Sequence, residues 1–436
     1  MRRRRVVQIC GATDGAQWMV DLSAGLCERG YDVTAIIAGA DGDTARRLEQ
    51  AGVPYEVSSQ NLTSESRIVE MVARIPRIGV RLSLLVHAAA LLRRALSLAL
   101  VLRRLEAEIT HAQIFNSIIL GRLAAYVARV PVRISMVPGP WHLEVPTFRR
   151  MDIRTQWMDT VLVGGSQRIT DLYREAGVPP RRTRTIPYCG DAAKFDPALA
   201  DGRRFRKALG LDPDVPLVGQ VAHFYPIVAA PYAPPLAAGR GLKGHEDLVE
   251  AASIVLRTRP DVRFVLVGGG WEAAGEVHKQ QIEERCRELE IDGQVIFTGR
   301  RDDIPDALAA FDVSVQCSLN ENYGGTIESL LMQRPTVATR VGAMPETVRE
   351  EETGLLVEPR DPPALAAAIM RLLADPTLAE KLGRRGRELM LEHYTTEAMT
   401  EAVAQLYEEL LGRRPPSPAR MRFYNESLLK RPPAGK

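Results

Sequence analysis

The sequence predicts an α/β protein made of two Rossmann-like βαβ domains that face a central cleft. Three observations carry this. A strand, glycine turn, helix and strand open the chain between Val6 and Ile37, and a second strand–helix series starts at Leu217. Residues 313–339 read as strand, polar loop, helix, strand, a βαβ unit whose ligand edge lies at the strand C-termini. At 436 residues, the chain exceeds what one hydrophobic core ordinarily serves.

In chain order, Val6-Val-Gln-Ile-Cys10 is a strand, Gly11-Ala-Thr-Asp-Gly15 a small-residue turn, and Gln17 to Arg29 an amphipathic helix stopped by Gly30. Asp32 to Ile37 is the next strand. Residues 66 to 105 are helical and apolar, punctuated by arginines such as Arg74, Arg93, Arg94 and Arg104. That pattern suits either packed helices with solvated arginines or a surface resting on anionic lipid. Strands follow near Glu108–Gln113, Pro131–Val137 and Val161–Gly164, and Asp196 to Asp214 reads as a linker. The second series runs through Leu217–Tyr225, a Pro/Ala-rich loop (Pro226 to Ala238), Gly239-Arg-Gly-Leu-Lys-Gly-His245, a helix, and Val262–Val267 with Gly268-Gly-Gly270. These readings divide the chain into residues 1–195, 196–393, a closing helix at 394–411, and a Pro/Arg-rich tail at 412–436.

Composition excludes several classes. Net charge is +3 with 45% apolar and 25% charged residues, ordinary for a globular protein and no mark of a nucleic-acid binder. The five cysteines are scattered without a C-x-x-C pair, so neither a zinc site nor a disulfide framework is expected, and a reducing cytoplasm fits. Met1-Arg-Arg-Arg-Arg is followed by too short an apolar run for a signal peptide, and Leu82 to Leu102 is interrupted by Arg93-Arg94, so no membrane span is expected.

The chemistry is expected in residues 317–346. Gly324-Gly325 lets backbone approach a ligand closely, and a helix starting at Thr326 offers N–H groups to an anion. Glu321-Asn-Tyr-Gly-Gly-Thr-Ile-Glu328, the strand Thr336–Thr339 and the Gly-Ala-Met-Pro-Glu346 turn resemble the donor-site signature of retaining glycosyltransferases of family 4, which have the GT-B fold. Six residues separate the two acids where the family has seven, and Asn320 keeps the full spacing to Glu328. The resemblance spans about residues 6 to 411. It implies a final helix crossing back onto the first domain, an N-terminal acceptor side and a C-terminal side for a UDP- or GDP-sugar.

Residue by residue, the resemblance assigns Lys243 to the leaving diphosphate, with Arg240 substituting for a strand-end arginine whose place His223 holds. It gives Glu328 to the ribose, Glu321 or Asn320 to the sugar, and the N–H groups of Gly324, Gly325 and Thr326 to sugar hydroxyls or diphosphate. Gly15 is either a cleft-facing turn or only a tight turn. His142, a few residues past the usual histidine position now held by Pro138, either reaches the cleft or packs its loop, and Trp141 either stacks on a sugar or does the same. Asp41-Gly-Asp43 and Asp212-Pro-Asp214 imitate a metal-binding pair but lie in loops away from the motif, so no metal is expected. The expected activity is sugar transfer with retention to a glycan, lipid or small acceptor in surface polysaccharide or glycoconjugate synthesis. The alternative is a GT-B-shaped protein that binds a nucleotide-sugar or a partner without turnover.

Overall fold

A computed structural model describes residues 3–58 and 79–412, with side chains 79–88 excepted. The predicted 412–436 tail and the basic positions before residue 79 therefore lie outside the described residues, Gly412 apart. Two parallel sheets organise the chain. The first holds β1 (Arg5–Cys10), β2 (Asp32–Ile37), β3 (Tyr55–Val57), β4 (Ile109–Gln113), β5 (Val132–Val137), β6 (Val161–Gly164) and β7 (Thr183–Thr185). Its order is β3-β2-β1-β4-β5-β6-β7. The second holds β8 (Leu217–Val221), β9 (Arg263–Val267), β10 (Val295–Gly299), β11 (Val313–Gln316), β12 (Thr336–Thr339) and β13 (Leu355–Val357), in the order β10-β9-β8-β11-β12-β13. Parallel strands covered on both faces need continuous apolar runs, and Val6, Val7, Ile9, Phe264, Val265, Leu266, Val313 and Val315 are all essentially inaccessible.

In each sheet the strand order reverses beside its first strand. The reversals fall between β1 and β4 in one sheet and between β8 and β11 in the other. Loops leaving the C-terminal ends at such a point diverge and leave a crevice, so the chain after β1, after β8 and after β11 is placed to line a site.

The closing helix, Thr396–Leu410, packs on the first lobe's helix Gln17–Glu28. Its Tyr407 is fully buried, and the hydroxyl shares a 2.8 Å hydrogen bond with His111 Nδ1 at the middle of β4. Glu409 pairs with Arg184 at 2.6 Å. Buried Met399, Val403, Leu406 and Tyr407 each contribute roughly 1.5–3 kcal/mol, which ties the chain's end to the lobe where it began. Among the described residues no helix is long and apolar enough to cross a membrane. The helix Gly79–Arg104 exposes Leu92, Leu96 and Leu100 at four-residue spacing, one face of the helix, with Arg93, Arg103 and Arg104 exposed beside them.

Candidate active site

Lys243 is held by the two strands that flank the second switch point. From β8, Gln220 Nε2 donates to the Lys243 carbonyl at 2.8 Å; just past β11, Cys317 Sγ donates to the Gly244 carbonyl at 3.1 Å and Leu319 N to the Leu242 carbonyl at 2.9 Å. Gly244 (φ +68°) makes this possible. A Cβ there would lie 2.0 Å from the Cys317 carbonyl oxygen, so only glycine lets the two loops touch. The Lys243 ammonium pairs with Glu321 Oε2 and sits 5.7 Å from the Tyr225 ring centroid. Burial works against its charge, but the Glu321 carboxylate beside it wins, and its pKa stays above the ordinary lysine value. Two residues separated by 78 positions thus meet at the mouth of the second sheet.

Around Lys243 lies a cavity of about 320 Å³ between the lobes. Arg47 and Lys194 line it from outside the second sheet, and His223, Arg300 and Arg301 from the ends of β8 and β10, with Asp302 the one acid in its wall. Such a surplus of cations suits a polyanion. His223 donates from Nδ1 to the Gly269 carbonyl at 3.4 Å, and burial, chiefly, keeps its imidazole below the usual pKa.

Glu328 stands in the first turn of the helix Thr326–Leu331. Burial pushes its carboxyl pKa up, against the nearby Lys194 and Lys243 cations, and its Oε2 is buried with no hydrogen-bond partner among the described residues. An orphan acceptor of this kind is costly unless a ligand donor completes it. Gly324 takes φ +57° as the loop turns toward this helix, beside the Glu321 side chain. Asn320 reaches the opposite lobe, its Nδ2 donating to Glu144 Oε2 at 2.7 Å. Gly15 also faces that gap: a Cβ on it would lie 3.9 Å from the Trp271 ring, and its N–H donates to Asp43 Oδ1 at 2.7 Å. Asp43 Oδ2 takes both Arg47 (2.9 Å) and Arg300 (3.3 Å), so the second acid of Asp41-Gly-Asp43 serves a bridge between lobes. Among the described residues no group of three or more His, Cys, Asp or Glu is placed to hold a metal ion.

Three expected site residues are placed elsewhere. Arg240 turns to Asp247 at 2.6 Å, because that carboxylate, 3% exposed in the first turn of the helix His245–Thr258, requires a countercharge; Arg240 does not line the cavity, and Arg300 does. His142 is buried, stacked on Phe115 (4.6 Å between centroids), with Nε2 3.2 Å from Asp152 Oδ2. Asp152 is itself locked by Arg122 and Tyr173, so His142 secures its loop from beneath, and Trp141 stacks on Phe148. Thr326 is fully buried, its N–H given to the Tyr323 carbonyl (3.3 Å) and its hydroxyl shared with Tyr323 O and Thr347, which leaves nothing for a ligand. Arg300 was detectable as a basic residue immediately after the strand Val295–Gly299. Glu144 and Lys194 carried no such signal.

Comparison with known proteins agrees with this geometry. Residues 236–375 match the model of glycosyl transferases group 1, and residues 15–189 that of the glycosyl transferase 4-like domain. The chain is 30% identical over 173 residues to N-acetyl-alpha-D-glucosaminyl L-malate synthase of Bacillus anthracis, a match that spans 39% of this chain and 44% of that protein, less than half its length. It is 26% identical over 403 residues to 2-deoxystreptamine glucosyltransferase of Streptomyces kanamyceticus, covering 85% of this chain and 97% of that one. Among solved structures, Anabaena HepE in complex with UDP-glucose superposes with a TM-score of 0.73 at 18% identity, over 93% of this chain and 99% of HepE.

Proposed function

Because the chain belongs to the GT-B-fold glycosyltransferases of the family-4 type, we propose that it moves a sugar from a nucleotide-sugar, UDP- or GDP-linked, to a glycan, lipid-linked or small-molecule acceptor with retention of configuration. The observation that carries this reading is the cation-rich cavity at the second switch point, whose Lys194 and Lys243 act electrostatically on the buried Glu328 carboxylate, one oxygen of which has no donor among the described residues. Lys243 and Arg300 face the departing diphosphate and offset the charge that grows on it. Glu328 accepts from ribose hydroxyls, which supplies its orphan oxygen. Glu321 and Asn320 hold the sugar, with Gly324 and Gly325 N–H groups alongside and the Gly15 turn opposite. Front-face departure and attack let the leaving phosphate help deprotonate the acceptor, so no separate base is demanded of the chain.

A lipid-linked acceptor is supported by the exposed Leu92, Leu96 and Leu100 face with its flanking arginines, which suits peripheral contact with an anionic bilayer. Flotation with phosphatidylglycerol vesicles checks that contact; loss of binding at high salt is expected, and no binding at low salt removes it. The transfer reading itself is tested by incubating the protein with UDP-glucose, UDP-N-acetylglucosamine and GDP-mannose and measuring nucleotide release. Release from at least one donor is expected. Tight binding of nucleotide without release, with or without added glycosides, favours a binding protein without turnover.

A further inference from the structure

We propose that Glu144, on the lobe opposite the donor cavity, accepts a hydrogen bond from the attacking hydroxyl and aims it at the sugar carbon. The inference rests on the transfer reading above. Glu144 ends the short helix Trp141–Glu144, which His142, stacked on Phe115 and hydrogen-bonded to Asp152, anchors to the first lobe. Across the gap, its Oε2 takes the 2.7 Å hydrogen bond from Asn320. Asn320 directly precedes Glu321, the partner of Lys243. The carboxylate therefore stands within two side chains of the cation assigned to the leaving group, on the side from which an acceptor enters.

Its second oxygen, Oε1, has no hydrogen-bond partner among the described residues and is accessible to solvent, so it is free to accept. Burial, chiefly, raises the Glu144 pKa, which the Asn320 hydrogen bond opposes; a half-buried carboxylate with one free oxygen is a strong hydrogen-bond acceptor. The arrangement also gives a physical role to the amide at the full-spacing position. Asn320 is uncharged and can donate to a carboxylate supplied by the opposite lobe, where a second acid would repel it.

The alternative is that Glu144 only staples the lobes, and Glu144→Gln separates the two. Glutamine can keep an oxygen toward Asn320 Nδ2, which preserves the staple, but it turns an amide NH2 to the cleft, which cannot accept from a hydroxyl. The assay is turnover of whichever of UDP-glucose, UDP-N-acetylglucosamine or GDP-mannose the wild-type protein consumes, with water as the attacking hydroxyl, alongside direct binding of the matching nucleoside diphosphate. Glu144→Gln is expected to lose on the order of 100-fold in turnover with nucleotide affinity changed less than about twofold. Glu144→Asp, which keeps the charge but retracts it, is expected to recover part of the loss. Wild-type turnover in Glu144→Gln would leave a staple only, and a parallel loss of nucleotide binding would place the residue on the donor side; either result overturns the proposal. A wild-type protein that binds nucleotide but consumes no donor sinks the transfer reading first, and this one with it.

Discussion

Replacing Lys243 by alanine tests the electrostatic account of the cleft. The Lys243 and Glu321 side chains are 15% and 16% exposed, so little water is available to substitute for the missing ammonium. At about 4 Å and an effective dielectric near 20, one charge pair is worth roughly 4 kcal/mol, an upper figure for what the ammonium gives a departing phosphate. Removing one preorganised stabiliser of this kind typically costs about 2.7–4 kcal/mol, or roughly 100- to 1000-fold in turnover. The substitution also leaves Glu321 facing the same phosphate without its partner, which pushes the loss toward the upper end. Steady-state nucleotide release, with a thermal melt to confirm folding, measures it. The double variant Lys243→Ala/Glu321→Gln, freed of the unpaired acid, should recover part of the loss but not reach wild type. Turnover of Lys243→Ala within about threefold of wild type would refute the assignment of this side chain to the leaving group.

Glu328→Gln should weaken binding of a nucleoside diphosphate by roughly tenfold and of its 2′-deoxy counterpart by much less, since the orphan oxygen is assigned to ribose hydroxyls; equal losses for both by calorimetry would argue against the contact. Gly244→Ala places a Cβ 2.0 Å from the Cys317 carbonyl at a φ of +68°, so it should destabilise the protein by at least about 2 kcal/mol and abolish nucleotide binding. An unchanged melting temperature would show that the two loops are not in contact. His111 and His245 have their pKa values pushed down to about 3 by burial. Folded values below the unfolded 6.5 mean that stability is complete above that pH and is lost as pH falls toward 3, at up to about 1.4 kcal/mol per pH unit for each group. Asp159, pushed up to about 6 by burial, acts in the opposite sense between about pH 6 and 4. The clean measurement is therefore a difference: His111→Gln should lose stability less steeply than wild type from pH 6 to pH 4 in denaturant melts. Parallel slopes would mean that His111 is free to protonate in the folded protein.

Local pattern carried the architecture. The expected strands at 32–37, 161–164 and 336–339 coincide with β2, β6 and β12, and the helix expected at Thr326 begins there. Each is set by nearest-neighbour physics: apolar runs that must be covered on both faces, glycine turns, and a helix that starts where the polar loop ends. The loops that hold Lys243 and Glu321, and the helix start that holds Glu328, were legible for the same reason, because strand ends in a parallel sheet are where ligands are expected to meet it. What a loop side chain does was not legible. Arg240 lies three residues before Lys243, yet it serves Asp247 on the outer helix, while Arg300 arrives from a strand two places away in the sheet. His142 and Glu144 are two residues apart on one short helix, and one is buried against Phe115 while the other crosses to Asn320. The sequence by itself determined two parallel sheets and the strand ends where the candidate site lies. Only the tertiary structure decided which charges face each other there, because a side chain's partner is set by buried countercharges and packing from residues tens to hundreds of positions away.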